Sequence, residues 1–163
     1  MFLVVQGHLQ KLCILKQAST DASHKIRREQ DVLYKMLYSN LPCFGFPNIL
    51  YTKSNQTIHE ILISPLGPSL QEVLEELQQP INEVLVYKIV FQLTNRLEKL
   101  HNVDYTHGRV ILSNVFLGKK DSEKIYLSNF YHSRYEPKQI SRKLRIGNES
   151  DDSLVSSIDG GKN

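Results

Sequence analysis

The first apolar positions fall in two short runs, residues 2–5 and 11–15, separated by Gln6-Gly7-His8, a pattern that predicts a β-hairpin. The spacing then changes. Ile26, Leu33, Met36 and Leu37 lie on one helical stripe between Asp21 and Tyr38, with Thr20 or Asp21 available as N-cap. Pro42 and Pro47 bracket a loop, after which residues 48–51 and 58–63 read as strands joined by the polar turn 52–57. Ser64-Pro65-Leu66-Gly67-Pro68 cannot continue a strand and reads as a linker between two lobes. Ser69 with Glu72 forms a capping box, and Leu70, Val73, Leu74 and Leu77 follow at helical spacing until Pro80. Asn82 caps a longer helix to about His101, apolar round most of its circumference and therefore expected to be buried. An irregular stretch, 102–113, precedes a second hairpin, 115–117 with 125–127, around the turn Gly118 to Ser122.

These elements divide the chain into a β-rich first lobe with one helix (1–63), a linker (64–68), a helical second lobe (69–135) and a tail (136–163). The fold class is α+β. The tail, rich in Ser, Asp, Gly and Lys, has too little apolar surface to offset its ordering entropy and is expected to be disordered in isolation. No internal repeat is present.

Composition narrows this picture only a little. With 163 residues, 40% hydrophobic and 23% charged, the chain is of ordinary globular make-up and domain size. A net charge of +3 is too small to argue for nucleic-acid wrapping. Cys13 and Cys43 have no spacing typical of a disulfide framework or zinc site, which points to a reducing, intracellular compartment, nuclear or cytoplasmic. No apolar run approaches the ~18 residues of a membrane span, and the first residues lack the basic flank of a signal peptide. A soluble protein is expected.

The order of elements and several short motifs resemble a protein kinase domain. Leu66-Gly67-Pro68-Ser69-Leu70 is similar to the hinge region of the casein kinase 1 and vaccinia-related kinase branch. Tyr105-Thr106-His107-Gly108-Arg109-Val110-Ile111-Leu112-Ser113-Asn114 resembles the catalytic loop, which in active kinases reads His-Arg-Asp with Asn five residues later. Ser128-Asn129-Phe130-Tyr131 resembles the Asp-Phe-Gly motif. The resemblance covers residues 2–135 and implies a kinase-like fold that is truncated, with neither an Ala-Pro-Glu motif nor the later helices of the second lobe after Tyr135.

By this resemblance Lys16 corresponds to the lysine that grips nucleotide phosphates, Glu29 to its helix partner, and Ile14 and Ile63 to walls of the nucleotide pocket. Leu33, His107 and Phe130 correspond to a packing column. The residues point the same way: Glu29 lies on the apolar stripe, where an unpaired carboxylate would be costly. The alternative is that Glu29 sits at the stripe's edge in water and Lys16 snorkels from a strand end. For His107 and Phe130, the alternative is an ordinary core role.

The departures from the family are chemical. Arg109 stands where the proton-accepting aspartate should be, and a guanidinium cannot act as a base. Ile111 replaces the lysine that neutralises developing charge. Asn129 replaces the metal-binding aspartate, leaving with Asn114 a pair of neutral amides to hold Mg²⁺, a hard cation that favours carboxylates. No Gly-x-Gly-x-x-Gly phosphate cradle precedes or follows Gly7. Retained packing with lost charge chemistry is most similar to the pseudokinases of the vaccinia-related family.

The implied function is a catalytically inactive, protein-binding scaffold or regulator with no cofactor. The alternative is a divergent ATP- and Mg²⁺-dependent serine/threonine kinase using another carboxylate, such as Asp104 or Asp121. A third expectation concerns stability: helix 82–101 lacks the helices that would cover it, and on this reading the chain does not fold alone. Arg134, Lys138, Arg142, Lys143 and Arg145, followed by the acidic serine stretch 149–153, read as either a docking segment for an acidic partner, with weak nucleic-acid contact the lesser option, or a solvated tail. His8, His24, His59, His101 and His132 show no ligand spacing and read as surface or loop residues; Cys13 reads as core.

Overall fold

Along Ile58–Ile63 the side chains of His59, Ile61 and Ile63 alternate inward with half-buried neighbours, and this strand forms an interior member of a four-stranded antiparallel sheet. The computed structural model describes residues 2–6, 11–39, 44–77 and 79–137. In chain order the elements are β1 (Phe2–Gln6), β2 (Lys11–Ser19), α1 (His24–Leu37), β3 (Ile49–Ser54), β4 (Ile58–Ile63), α2 (Leu70–Glu76), α3 (Glu83–Asn102), β5 (Tyr105–Thr106), β6 (Val115–Leu117), β7 (Ile125–Leu127) and β8 (Arg134–Tyr135). The sheet order is β1-β2-β4-β3, with Ile14 opposite Ile63 and Lys16 opposite Ile61. Two small pairs, β5-β8 and β6-β7, belong to the second half.

Helix α1 buries Ile26, Glu29, Val32, Leu33 and Met36, one continuous stripe on which Glu29 is the only charge. It begins later than the sequence reading expects. Residues 20–22 form a 3-10 turn, so Ser23 is the N-cap in place of Thr20 or Asp21. Strand β3 runs on to Ser54, because Asn55 alone makes the turn: its Oδ1 accepts from the backbone N–H groups of Thr57 and Ile58. Strand β2 likewise extends beyond Leu15 to Ser19.

The capping box at α2 is present in full: the Glu72 amide donates to Ser69 Oγ, and the Ser69 amide donates to the Glu72 carboxylate at 2.6 Å. Asn82 caps α3 by accepting from the Val84 amide at 2.8 Å. Within 102–113, read from sequence as wholly irregular, the short strand β5 pairs with β8.

Two expectations are corrected. Helix α3 is not buried: of its residues only Leu100 is fully enclosed, whereas Tyr87 and Phe91 are 74% and 70% exposed. One side of it, with Ile89, Leu93 and Leu97, packs against the core, and the rest is left uncovered among the described residues. His59 is not at the surface. It is buried beneath α1 with neither ring nitrogen hydrogen-bonded, close to Arg27 and Asp31. The remaining described histidines His24, His101 and His132 are exposed, and Cys13 is buried. Cys43, His8, Lys138, Arg142, Lys143, Arg145 and the tail from residue 138 lie outside the described residues.

Burial, reinforced by Arg27, lowers the His59 pKa from its ordinary value of 6.5, and burial lowers His107 as well. Both rings are therefore neutral in the fold while the unfolded chain protonates them near pH 6.5. Stability is full above that pH and falls as the pH drops from about 6.5 toward the folded-state values. His59→Gln removes one of the two contributions, so the slope of melting temperature between pH 7 and pH 5.5 should be shallower than that of the parent. An unchanged slope would show that His59 is already charged or solvated.

Candidate functional site

The site is assembled where α1, β2 and the segment after β7 meet. Strand β2 carries Lys16 inward, and α1 presents Glu29 from its buried stripe one layer above. Lys16 Nζ donates to both carboxylate oxygens of Glu29 at 2.7 Å, with the lysine 3% and the glutamate 0% exposed at the side chain. Burial pushes the Lys16 ammonium below its usual pKa, opposed by the Glu29 charge and hydrogen bond. Of the two readings open for this pair, the buried one holds.

Asn129 extends the pair into a network. Its backbone is left-handed, φ 65° and ψ 54°, a conformation that asparagine adopts more readily than most side chains. This turn aims the Asn129 amide N–H at Glu29 Oε1 (3.0 Å) and its side-chain oxygen at Lys16 Nζ (2.8 Å). The Asn129 Nδ2 donates to Asn114 Oδ1 at 2.9 Å, and Asn114 Nδ2 donates in turn to the Arg109 carbonyl at 2.9 Å. Reversing the Asn129 amide would set its NH₂ against an ammonium, so chemistry fixes its orientation. Asn129 consequently faces Asn114 with a donor, and the two amides do not offer a pair of oxygens to a common cation. Among the described residues no group of three His, Cys, Asp or Glu side chains could hold a metal ion.

Below this network runs the column. The ring of Phe130 is fully buried, 5.0 Å from His107 and 6.1 Å from Phe46, centroid to centroid. His107 Nε2–H donates to the Ser128 carbonyl at 3.0 Å, and its Nδ1 accepts from the Arg109 amide at 3.2 Å, which fixes a neutral tautomer. Leu33 is buried on the adjacent face of α1. Ile14 and Ile63 lie side by side in the sheet, both buried. Gly108 has φ +74°, and a Cβ there would collide with the His132 carbonyl, so glycine is required at this position.

The side chains of the remaining loop residues turn outward. Arg109 is exposed, its guanidinium 3.4 Å from His132 Nε2, and Ile111 is 41% exposed. No carboxylate accompanies them in any ion pair among the described residues.

Comparison with known proteins bears on the same segments. No family model matches the chain. It is similar to serine/threonine-protein kinase VRK3 of Bos taurus, 30% identical over 107 residues, which is 64% of this chain and 24% of that protein. A casein kinase 1-like protein, HD16 of Oryza sativa subsp. japonica, is 31% identical over 88 residues, 52% of this chain and 12% of that protein. The probable serine/threonine-protein kinase FPV212 of Fowlpox virus is 28% identical over 97 residues, 59% of this chain and 31% of that protein. The fold is protein kinase-like, and the similarity runs to vaccinia-related and casein kinase 1-like kinases.

The chain spans about a quarter of the length of the vaccinia-related relative. In kinase-like terms, one member of the site escaped the sequence reading. Tyr131 stands where the Asp-Phe-Gly motif has glycine, and its ring lies 5.0 Å from Lys16 Nζ. Burial and the adjacent Glu29 carboxylate raise its pKa well above that of a free phenol. A bulky aromatic at a position that needs no side chain was the signal available. The carboxylates of the alternative reading are not brought to the site: Asp121 is in the β6–β7 turn, paired with Lys124 at 2.9 Å, and Asp104 has φ 63° in the turn after α3.

Proposed function

We propose that this kinase-like chain is a pseudokinase: it transfers no phosphate, needs neither ATP nor Mg²⁺ to hold its shape, and acts inside the cell by binding a protein partner. The observation that carries this reading is the direction of the Asn129 amide, whose oxygen is spent on Lys16 and whose NH₂ faces Asn114. Mg²⁺ binding would require breaking both bonds, and a neutral amide is a poor replacement for the missing carboxylate. Arg109 adds a positive charge beside the place where the acceptor hydroxyl would lose its proton. Losing a general base alone costs roughly 10²- to 10⁴-fold in rate.

A binding role is supported by what the fold keeps. The Lys16–Glu29 pair and the Phe130–His107 stack hold α1 against the rest of the molecule through internal partners alone. No helix of the described residues is long and apolar enough to cross a membrane. Arg134, exposed on β8, begins the basic run that would favour an acidic partner.

Thermal denaturation with ATP, with and without Mg²⁺, tests the reading. A ligand that binds only the folded state raises the midpoint by mass action, so the expected result is no rise in either condition. A Mg²⁺-dependent rise together with autophosphorylation that survives Asn129→Ala would overturn it.

A further inference from the structure

A cluster of exposed cations surrounds the segment that follows β7. Arg28 lies on the exposed face of α1, one residue before the locked Glu29, and its Nη1 donates to the Tyr131 carbonyl at 3.3 Å. Arg109 Nη1 lies 3.4 Å from His132 Nε2. Tyr131 and His132 are consecutive, so one turn of backbone holds both guanidiniums, and Arg134, exposed two residues on, adds a further positive charge. None of these side chains is in an ion pair among the described residues. The acids next to Arg28 along α1 are engaged elsewhere: Glu29 is buried on Lys16, and the Asp31 carboxylate lies by His59 and Arg27.

The Arg109 backbone is fixed by its neighbours. Its amide donates to His107 Nδ1 at 3.2 Å, and its carbonyl accepts from Asn114 Nδ2 at 2.9 Å. Gly108, at φ +74°, lets the loop close against the His132 carbonyl, where any Cβ would collide. Two guanidiniums gathered on one turn repel each other, and an anion placed between them turns that repulsion into attraction.

We propose that Arg28, Arg109 and His132 form a binding site for a phosphate monoester, presented as a phosphorylated serine or threonine of a partner protein. Charge and geometry select this class. A phosphate monoester carries about 1.5–2 negative charges and three acceptor oxygens, enough to face two guanidiniums and one imidazole. Each guanidinium can offer such an oxyanion a pair of parallel N–H donors. A phosphodiester has a single charge, and the chain's net +3 is too small to hold a nucleic-acid strand. The three side chains are exposed rather than sunk in a pocket, so they give a small metabolite little burial. A phosphate on a protein surface brings its own contact area. This inference does not depend on whether the domain transfers phosphate, because binding is read without nucleotide.

The test is fluorescence polarisation of the full chain with a peptide library of fixed central phosphoserine and random flanks, beside the same library with serine. The expected result is saturable binding of the phosphorylated library alone. Arg109→Gln and Arg28→Gln should each weaken it by about tenfold. Arg27→Gln removes the same charge from a neighbouring position of α1, where the side chain bonds Ser23 and Ser54, and should leave binding unchanged. All three arginines are exposed, so circular dichroism of each variant should match the parent. Inorganic phosphate should compete with lower affinity, since it shares the charge and lacks the contact area. No binding, or equal binding of the serine library, would overturn the proposal. An equal loss in Arg27→Gln would reduce the site to general attraction by a basic surface, and affinity for inorganic phosphate as high as for the library would make it a free-anion site; either result also overturns it. Preference for a single-stranded oligonucleotide would assign the cluster to nucleic acid instead.

Discussion

Replacing Glu29 with alanine should destabilise the protein by about 3–5 kcal/mol, because it strands the Lys16 ammonium in a site that water does not reach. The loss is larger than for a surface ion pair, which contributes about 0–1 kcal/mol. Two groups besides Lys16 feel the change: the Asn129 amide loses its acceptor and the Tyr131 hydroxyl loses its neighbour, which leaves α1 with one fewer tie to the segment after β7. A melting temperature lower by about 10 °C or more is the expected readout. Combining Glu29→Ala with Lys16→Met should recover much of the loss, since no unpaired charge then remains. A shift of only about 1 °C in the single variant would mean that Lys16 finds water or another anion in solution.

Phe130→Ala should cost a similar amount, about 3–5 kcal/mol, for a different reason. The ring is fully enclosed between His107 and Phe46, and alanine leaves a cavity at the junction of α1, the catalytic-loop segment and the sheet. Phe130→Leu, which keeps most of the volume, should cost less than about 1.5 kcal/mol. The measurement is the urea midpoint of the two variants against the parent. Equal, small shifts would indicate that the ring is not packed in solution and that the column is not a structural element of this chain.

How much of this could be read from the residues follows from what each signal encodes. Glu29 was legible because a lone carboxylate on an apolar stripe demands a cation, and it was the resemblance to the kinase lysine that pointed to Lys16. The α2 and α3 caps were legible because Ser-x-x-Glu and Asn before an apolar run are local devices needing no tertiary information. His59 could have been placed inside, since it shares strand parity with Ile61 and Ile63, but its chemistry argued for the surface and outweighed the period. The exposure of α3 was not legible in periodicity: a helix apolar on most sides announces that it wants partners, not whether they are present. Least readable was the Asn129 network. It depends on a single left-handed residue that turns one amide between two others, and backbone handedness at one position leaves no pattern along the chain.

Transfer of radiolabel from the γ-phosphate of ATP, in the presence of Mg²⁺, to the protein itself and to a general hydroxyl-bearing acceptor tests the central claim most directly. With Arg109 in place of the base and Asn129 turned toward Lys16, incorporation should not exceed that of a sample without protein. Turnover in the ordinary kinase range of about 1–100 s⁻¹ would contradict the account.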